Sequence, residues 1–339
     1  MPENRAAFIT SARQRPLEIR SLPYTSPEAN QIVIRNRAIG INHIDWKIQE
    51  HEFAPFRYPG VLGHESAGDV VEVGSNVSRF QVGDRVLAEG TCMATQKDAD
   101  GSFQLYTAVP EHVASPIPDT LSYENATVLP LGVSTSIMGL YAPDTLELDY
   151  PSLDPKPQGQ SILVWGGSSS VGSNVIQLAV HAGYEVIATA SKHNFDHVRK
   201  LGATAVLDYH EPTIVDDLVT ALNGKTLKGA FDAVGLPETT VPLAKVLLQT
   251  TEGTKKLVSV LGPPADLPEG ISFKMAWAIV SPPELGLAIY QNFLPDALAK
   301  GVYVSFPKPD VVGKGLEHIQ NGMDVLSKGI SAKKIVVSL

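Results

Sequence analysis

From Ser161 to Gly262 the chain alternates short apolar runs with helical patterns, and this change of period constrains the fold more than any other feature. SILVW is a short apolar run, GGSSSVGS a turn, and NVIQLAVHAG a helical pattern ended by Gly183. The alternation continues through EVIATA, the helical NFDHVRKLG, AVLDY, the helical PTIVDDLVTALNG, GAFDAVG, the helical PETTVPLAKVLLQT and KKLVSVLG. Strands apolar on both faces that alternate with helices predict a parallel sheet covered on both sides, an α/β class of the doubly wound kind.

The N-terminal part has a different texture. RAAFIT, QIVIRNRAIG, DVVEVG, DRVLAEG and FQLYTAVP are short and rich in Val, Ile and Thr, with turn residues between them. They predict a mostly antiparallel barrel or sandwich. SYENATVLPLGVSTSIMGLY suits helices, with Ser122 able to cap the first, and the proline-rich APDTLELDYPSLDPKPQGQ predicts an extended connection. After Gly262, prolines 263, 264 and 268 mark a loop. A helical segment from Pro282 to Lys300, a strand VYVSFP, a helix VVGKGLEHIQNGMDVLSKG and a closing strand KKIVVSL follow. The expected domains are residues 1–133 completed by 303–339, and residues 134–302.

A length of 339 residues suits two such domains. With 27 basic and 36 acidic side chains the formal charge is −9 and no basic run occurs, which argues against nucleic acid or an anionic membrane as the main partner. The single cysteine, Cys92, forms no internal disulfide and supplies no zinc ribbon. No stretch approaches the roughly 18 apolar residues of a membrane span, and the first residues hold no signal-like apolar core. A cytoplasmic protein acting on a small molecule is the expectation.

Two motifs carry chemistry. In SILVWGGSSSVGSNVIQLA, Gly167, Ser169 and Gly172 occupy the G-x-G-x-x-G positions, between a buried strand and a helix whose N-terminus favours a pyrophosphate. Serine replaces the middle glycine and adds a hydroxyl donor; the alternative is a tight turn without a ligand. About 20 residues on, where an NAD site places an acidic side chain, EVIATASK offers Ala190, Ser191 and Lys192. A hydroxyl and an ammonium without a carboxylate favour the 2′-phosphate of NADPH, and Tyr209 at the end of the next strand is a further adenosine contact. A solvated lysine and a strand-end tyrosine are the plainer readings.

With these residues in view, the chain resembles the medium-chain dehydrogenase/reductase superfamily over essentially its whole length. The resemblance lies in GHESAGDVVEVGSNVSRFQVGDRV, the dinucleotide motif and the return strand KKIVV. GINHIDWK, LPLGVSTSIMGL, TASKHNFD and LDYHEP look most like its zinc-independent quinone oxidoreductases and fungal trans-acting enoyl reductases. The resemblance implies a GroES-like catalytic domain, a Rossmann domain and NADPH-linked reduction of a conjugated carbonyl. It also implies cofactor contacts at Gly167, Ser168, Ser169, Ser170, Val171, Gly172 and Leu261, and contacts of Asn42 and Thr135 with the nicotinamide ribose and carboxamide region. Lys334 is either a cofactor-facing residue or a strand-edge lysine. A homodimer is implied through sheet addition near VSVLGPP.

No metal is expected. Asn42 stands where zinc alcohol dehydrogenases have a cysteine ligand, and His64, Glu65 and Asp45 make a poor tetrahedral set, so a histidine hydrogen-bonded within its loop is the simpler account. Lys47 is then the candidate donor to a substrate oxygen that gains charge, the alternative being a surface lysine paired with Asp45 or Glu50. The expected activity is hydride transfer to the β-carbon of an enone, enoyl thioester or quinone in a dry cleft between the domains. Zinc-free alcohol or carbonyl oxidoreduction is the alternative enzyme class. A cofactor-binding protein with non-redox cyclisation, or with no turnover, is the other.

Overall fold

QIVIRNRAIG forms a ten-residue strand that carries different partners along its length, and the first part of the protein is assembled on it. The computed structural model describes residues 2–278 and 281–339. They fall into two units, Met1–Leu131 with Tyr290–Leu339, and Gly132–Ile289.

The first unit contains β1 (Asn4–Ile9), β2 (Glu18–Leu22), β3 (Gln31–Gly40), β4 (Gly60–Val61), β5 (Glu65–Val73), β6 (Arg85–Glu89), β7 (Tyr106–Pro110) and β8 (Ala114–Pro116). The returning chain adds β15 (Lys308–Lys314) and β16 (Lys333–Ser338). One sheet runs β15-β16-β3-β5-β6-β8, with β7 on the first half of β3, and a small sheet runs β2-β1-β4. All pairings in this unit are antiparallel except β15 with β16. The expected mostly antiparallel architecture is present. Its apolar interior includes Ile32, Ile34, Val70, Phe80, Val86 and Val109. Short helices α1 (His43–His51), α2 (Cys92–Thr95) and α3 (Tyr123–Ala126) fill the connections, and Ser122 caps α3 by accepting from the Asn125 N–H.

The docking of the last strand places a buried lysine. β16 pairs antiparallel with the end of β3, Val336 opposite Gly40, and the Ile41 N–H donates to the Ile335 carbonyl at 2.9 Å. Lys334 therefore arrives beside Asn42, the residue that opens α1.

The second unit holds a parallel sheet in the order β11 (Ala205–Asp208), β10 (Glu185–Ala190), β9 (Gln160–Trp165), β12 (Thr226–Asp232), β13 (Lys256–Ser259), β14 (Ser272–Met275). Chain order runs outward in both directions from β9, the topological switch of a doubly wound fold. Helices α4 (Pro130–Tyr141, all but its first two residues), α5 (Ser170–His181), α6 (Phe195–Lys200), α7 (Ile214–Ala221) and α8 (Pro237–Gln249) belong to it. Leu163, Ile187, Leu218, Leu243 and Leu247 form one side of its core. At roughly 25 cal/mol per Å², each such side chain contributes about 1.5–3 kcal/mol on burial.

Four expectations are corrected. VYVSFP is not a strand. Pairing begins at Lys308, and the helix expected from Val311 begins only at Ile319 as α11 (Ile319–Ser327), because Gly313 and Gly315 break the helical run. The stretch after Gly262 is not all loop, since Ser272–Met275 adds β14 beside β13. KKLVSVLG therefore forms an interior strand, and β14 is the edge of the sheet. The segment Pro282–Lys300 is helical in pieces: α9 (Pro283–Gly286), a π turn at Leu287–Gln291 and α10 (Leu294–Ala299). No described helix is long and apolar enough to cross a membrane.

Candidate active site

At the carboxyl end of β9 the chain turns through Gly166 at φ +81 and enters α5. A Cβ on Gly172 would lie 2.2 Å from the Gly166 carbonyl oxygen, so the loop closes on its own helix only with glycine there. Ser169 caps α5 by accepting from the Gly172 N–H at 3.0 Å, and its own proton stays available to a ligand. Ser168, Ser169, Ser170 and Val171 are half-buried, whereas Gly167 and Gly172 are buried. Two residues that sequence reasoning missed fix the loop. Thr189 accepts the Gly166 and Gly167 N–H groups through its hydroxyl and carbonyl, and Asn194 donates to Ser168 Oγ at 3.3 Å.

The structure gathers Ser191, Lys192 and Tyr209 at the neighbouring strand ends. Ser191 Oγ and the Tyr209 hydroxyl are 2.9 Å apart. Lys192 Nζ lies 2.6 Å from Glu211 and 3.8 Å from Asp208. The expectation that no carboxylate stands near this spot is thus corrected: β10 supplies none, but the end of β11 supplies two. The His210 backbone N–H, followed by its ring and Lys192, holds Asp208 below the usual carboxylate range, while Glu211 raises Lys192. Leu261 follows β13 and packs against Gly235, at the same carboxyl edge. A glycine-closed loop, a helix N-terminus and a hydroxyl pair with a lysine at the carboxyl edge fit a dinucleotide.

The first unit holds a buried polar network. Glu65 opens β5 with no exposed surface, and Lys334 is 5% exposed. Lys334 Nζ lies 2.5 Å from Glu65 Oε1 and donates to Asn42 Oδ1 at 2.5 Å. The Asn42 amide donates to Glu65 Oε1 at 2.8 Å, and Glu65 Oε2 accepts the Leu131 N–H at 2.9 Å. Asp45 accepts the Asn42 backbone N–H at 2.7 Å and bonds His64 Nδ1 at 2.8 Å. Lys334 therefore sits on an interior strand with its ammonium committed to Glu65 and Asn42, neither at an edge nor free.

Zinc does not fit this donor set. It needs three or four converging ligands. Here Glu65 is neutralised by Lys334, Asp45 is bonded to His64 and Asn42, and His64 Nε2 alone is left without a partner. No group of three His, Cys, Asp or Glu among the described residues can hold a metal, and the buried Cys92 thiol is raised well above its ordinary value by desolvation and by Asp45 and Asp100.

Lys47 lies one turn into α1. Asp45 is engaged as above and Glu50 pairs with Arg15 at 2.6 Å, so neither carboxylate pairs with Lys47. Its ammonium stands 5.8 Å from the Trp46 ring centre and 5.4 Å from that of Phe53, and burial lowers its pKa. Thr135 lies on α4 in the second unit, 9% exposed.

A two-unit fold with a dinucleotide-fitting loop and no zinc-fitting donor set narrows the class, and the comparisons support an oxidoreductase. The Alcohol dehydrogenase GroES-like domain family matches residues 28–119 and the Zinc-binding dehydrogenase family residues 170–273. The chain is 43% identical to the dehydrogenase azaJ of Aspergillus niger over the full length of both. It is 39% identical to the trans-enoyl reductase himH of Aspergillus japonicus, covering 99% of this chain and 97% of that one. A quinone oxidoreductase of Escherichia coli, solved with NADPH, superposes with a TM-score of 0.71 at 22% identity over 100% of both chains. The chain belongs to the medium-chain dehydrogenase/reductase superfamily, with a GroES-like and a Rossmann-like domain. Within it, the chain is a member of the zinc-independent, enoyl-reductase-like branch.

Proposed function

We propose that this protein is an NADPH-dependent reductase of secondary metabolism that delivers hydride to the β-carbon of an enone, enoyl thioester or quinone. The observation that carries the reading is the partly desolvated ammonium of Lys47, which stands over the Trp46 and Phe53 rings with no carboxylate partner among the described residues, in a domain where Glu65 is bonded to Lys334 and His64 to Asp45. A relative named as a trans-enoyl reductase supports the same chemistry.

When bound, the nicotinamide supplies the hydride. The loop from Gly167 to Gly172 would hold the pyrophosphate through its N–H groups and through Ser168, Ser169 and Ser170. Ser191 and Tyr209 would hydrogen-bond the 2′-phosphate, and Lys192 would exchange Glu211 for it. Leu261 and Thr135 would contact the cofactor from the second unit. Lys334 acts one step back, holding the Asn42 amide in one orientation against Glu65. Lys47 donates to the substrate carbonyl oxygen, and its bond strengthens as charge accumulates there, which lowers the barrier rather than the ground state.

The test is steady NADPH oxidation with a simple enone, followed by product identification. The saturated ketone is expected, the enolate formed by hydride addition taking its α-proton from water. An allylic alcohol would favour carbonyl reduction, and binding of NADPH without turnover of any conjugated carbonyl would return the chain to a cofactor-binding role.

A further inference from the structure

Helix α1 opens with His43 and brings Trp46 and Lys47 round within one turn, at the i+3 and i+4 positions that share a helix face. The Trp46 indole N–H donates to His43 Nδ1 at 3.1 Å, with the rings edge to face and their centres 6.1 Å apart. An indole nitrogen only donates, so this bond requires a lone pair on Nδ1 and leaves the ring proton on Nε2. A proton on Nδ1 would set two N–H groups against each other. Although part of the His43 ring is open to solvent, the atoms packed around it, then Lys47 and then Lys334, push the imidazole down to about 4 against the opposing pull of Asp45. The charged groups acting on it are thus Lys47 and Asp45 from its own helix and Lys334 from β16. The Nε2–H has no acceptor among the described residues.

We propose that His43 is a second catalytic donor: its Nε2–H and the Lys47 ammonium hydrogen-bond the same substrate carbonyl oxygen, and Trp46 is the positioning residue that fixes the tautomer. This deepens the proposed function and rests on its assignment of Lys47. A carbonyl oxygen has two lone pairs and takes two donors. One cation with one neutral donor suits an oxygen that is neutral in the substrate and anionic in the enolate, because a second cation beside Lys47 would favour loss of its proton. The substrate class that matches is a ketone or thioester with one oxygen conjugated to the C=C bond. A free unsaturated carboxylate, already charged, would be held in its ground state.

The experiment joins a spectroscopic readout to kinetics on the full chain. Ring ¹⁵N shifts of His43 should show a bare Nδ1 and a protonated Nε2 from about pH 8 to about pH 5. Trp46→Phe should free Nδ1, let the ring titrate at higher pH, and give kcat a new loss on the acid side. With an enone that the wild type reduces, His43→Phe should lower kcat by about 10²-fold with little change in NADPH affinity. His43→Gln, which keeps an N–H donor, should recover much of that loss. A ring that carries its proton on Nδ1 or titrates near the ordinary histidine value overturns the proposal. So does a folded His43→Phe protein with unchanged kcat. If Lys47→Ala abolishes turnover while His43→Phe does not, only this inference fails; if neither changes kcat, or no conjugated carbonyl is turned over, the proposed function fails with it.

Discussion

The Lys334 ammonium lies 2.5 Å from Glu65 Oε1 in the interior of the first unit, where both side chains are almost wholly shielded from water. The pair takes in Asn42, and Glu65 also receives the Leu131 N–H where α4 begins. A position that offers zinc a carboxylate and a histidine is thereby closed from within.

Breaking this pair on one side should be costly. Lys334→Ala leaves a buried carboxylate without its cation, and about 3–5 kcal/mol of stability should be lost. Urea unfolding measures it. Lys334→Met with Glu65→Gln should cost less than Lys334→Ala alone, since no unpaired charge remains.

At the adenosine end, Lys192 leaves Glu211 only for a group of greater negative charge. NADPH should bind at least about tenfold tighter than NADH, and Lys192→Ala should weaken NADPH more than NADH. Titration of both cofactors decides this. Glu211→Gln should move NADPH affinity the opposite way, by a smaller factor, because both partners of the pair are exposed to solvent.

Acid stability follows from His43. Its folded pKa is depressed to about 4, so the unfolded chain binds a proton near pH 6.5 that the folded chain refuses. Above that range His43 contributes no pH dependence. As pH falls from about 6.5 through about 4, stability should drop. Urea midpoints at pH 7 and pH 5 should diverge more for wild type than for His43→Gln; equal divergence would contradict the shift.

Much of this was legible in the sequence because it is local. The β9–loop–α5 motif is written in consecutive residues, with Gly172 where a Cβ would strike the Gly166 carbonyl oxygen. The strand-helix alternation gave the parallel sheet, and Asn42 in place of a thiolate ligand argued against zinc. What escaped depends on pairing across the chain. Nothing near Lys334 announces Glu65, because β16 must first dock on β3 to bring them together. Asp208 and Glu211 stand beside Lys192 only once β11 lies alongside β10. VYVSFP reads as a strand by composition, yet the pairing begins one residue beyond Pro307, at Lys308.

Lys47 separates a functional from a structural ammonium. If it holds the carbonyl oxygen, Lys47→Ala should lower kcat by about 10²- to 10³-fold and leave NADPH affinity nearly unchanged. Arginine should restore little, since its planar fork does not copy a compact ammonium. A folded variant with near-normal turnover would move the oxygen donor elsewhere.

The most direct measurement of conjugate reduction is the fate of the transferred hydrogen. NADPH carrying deuterium at C4 on the transferred face is incubated with the protein and an enone, and the product is examined by NMR. Deuterium on the β-carbon of a saturated ketone is the predicted result. Deuterium on the carbonyl carbon of an allylic alcohol, or a product without deuterium, would contradict conjugate reduction by this chain.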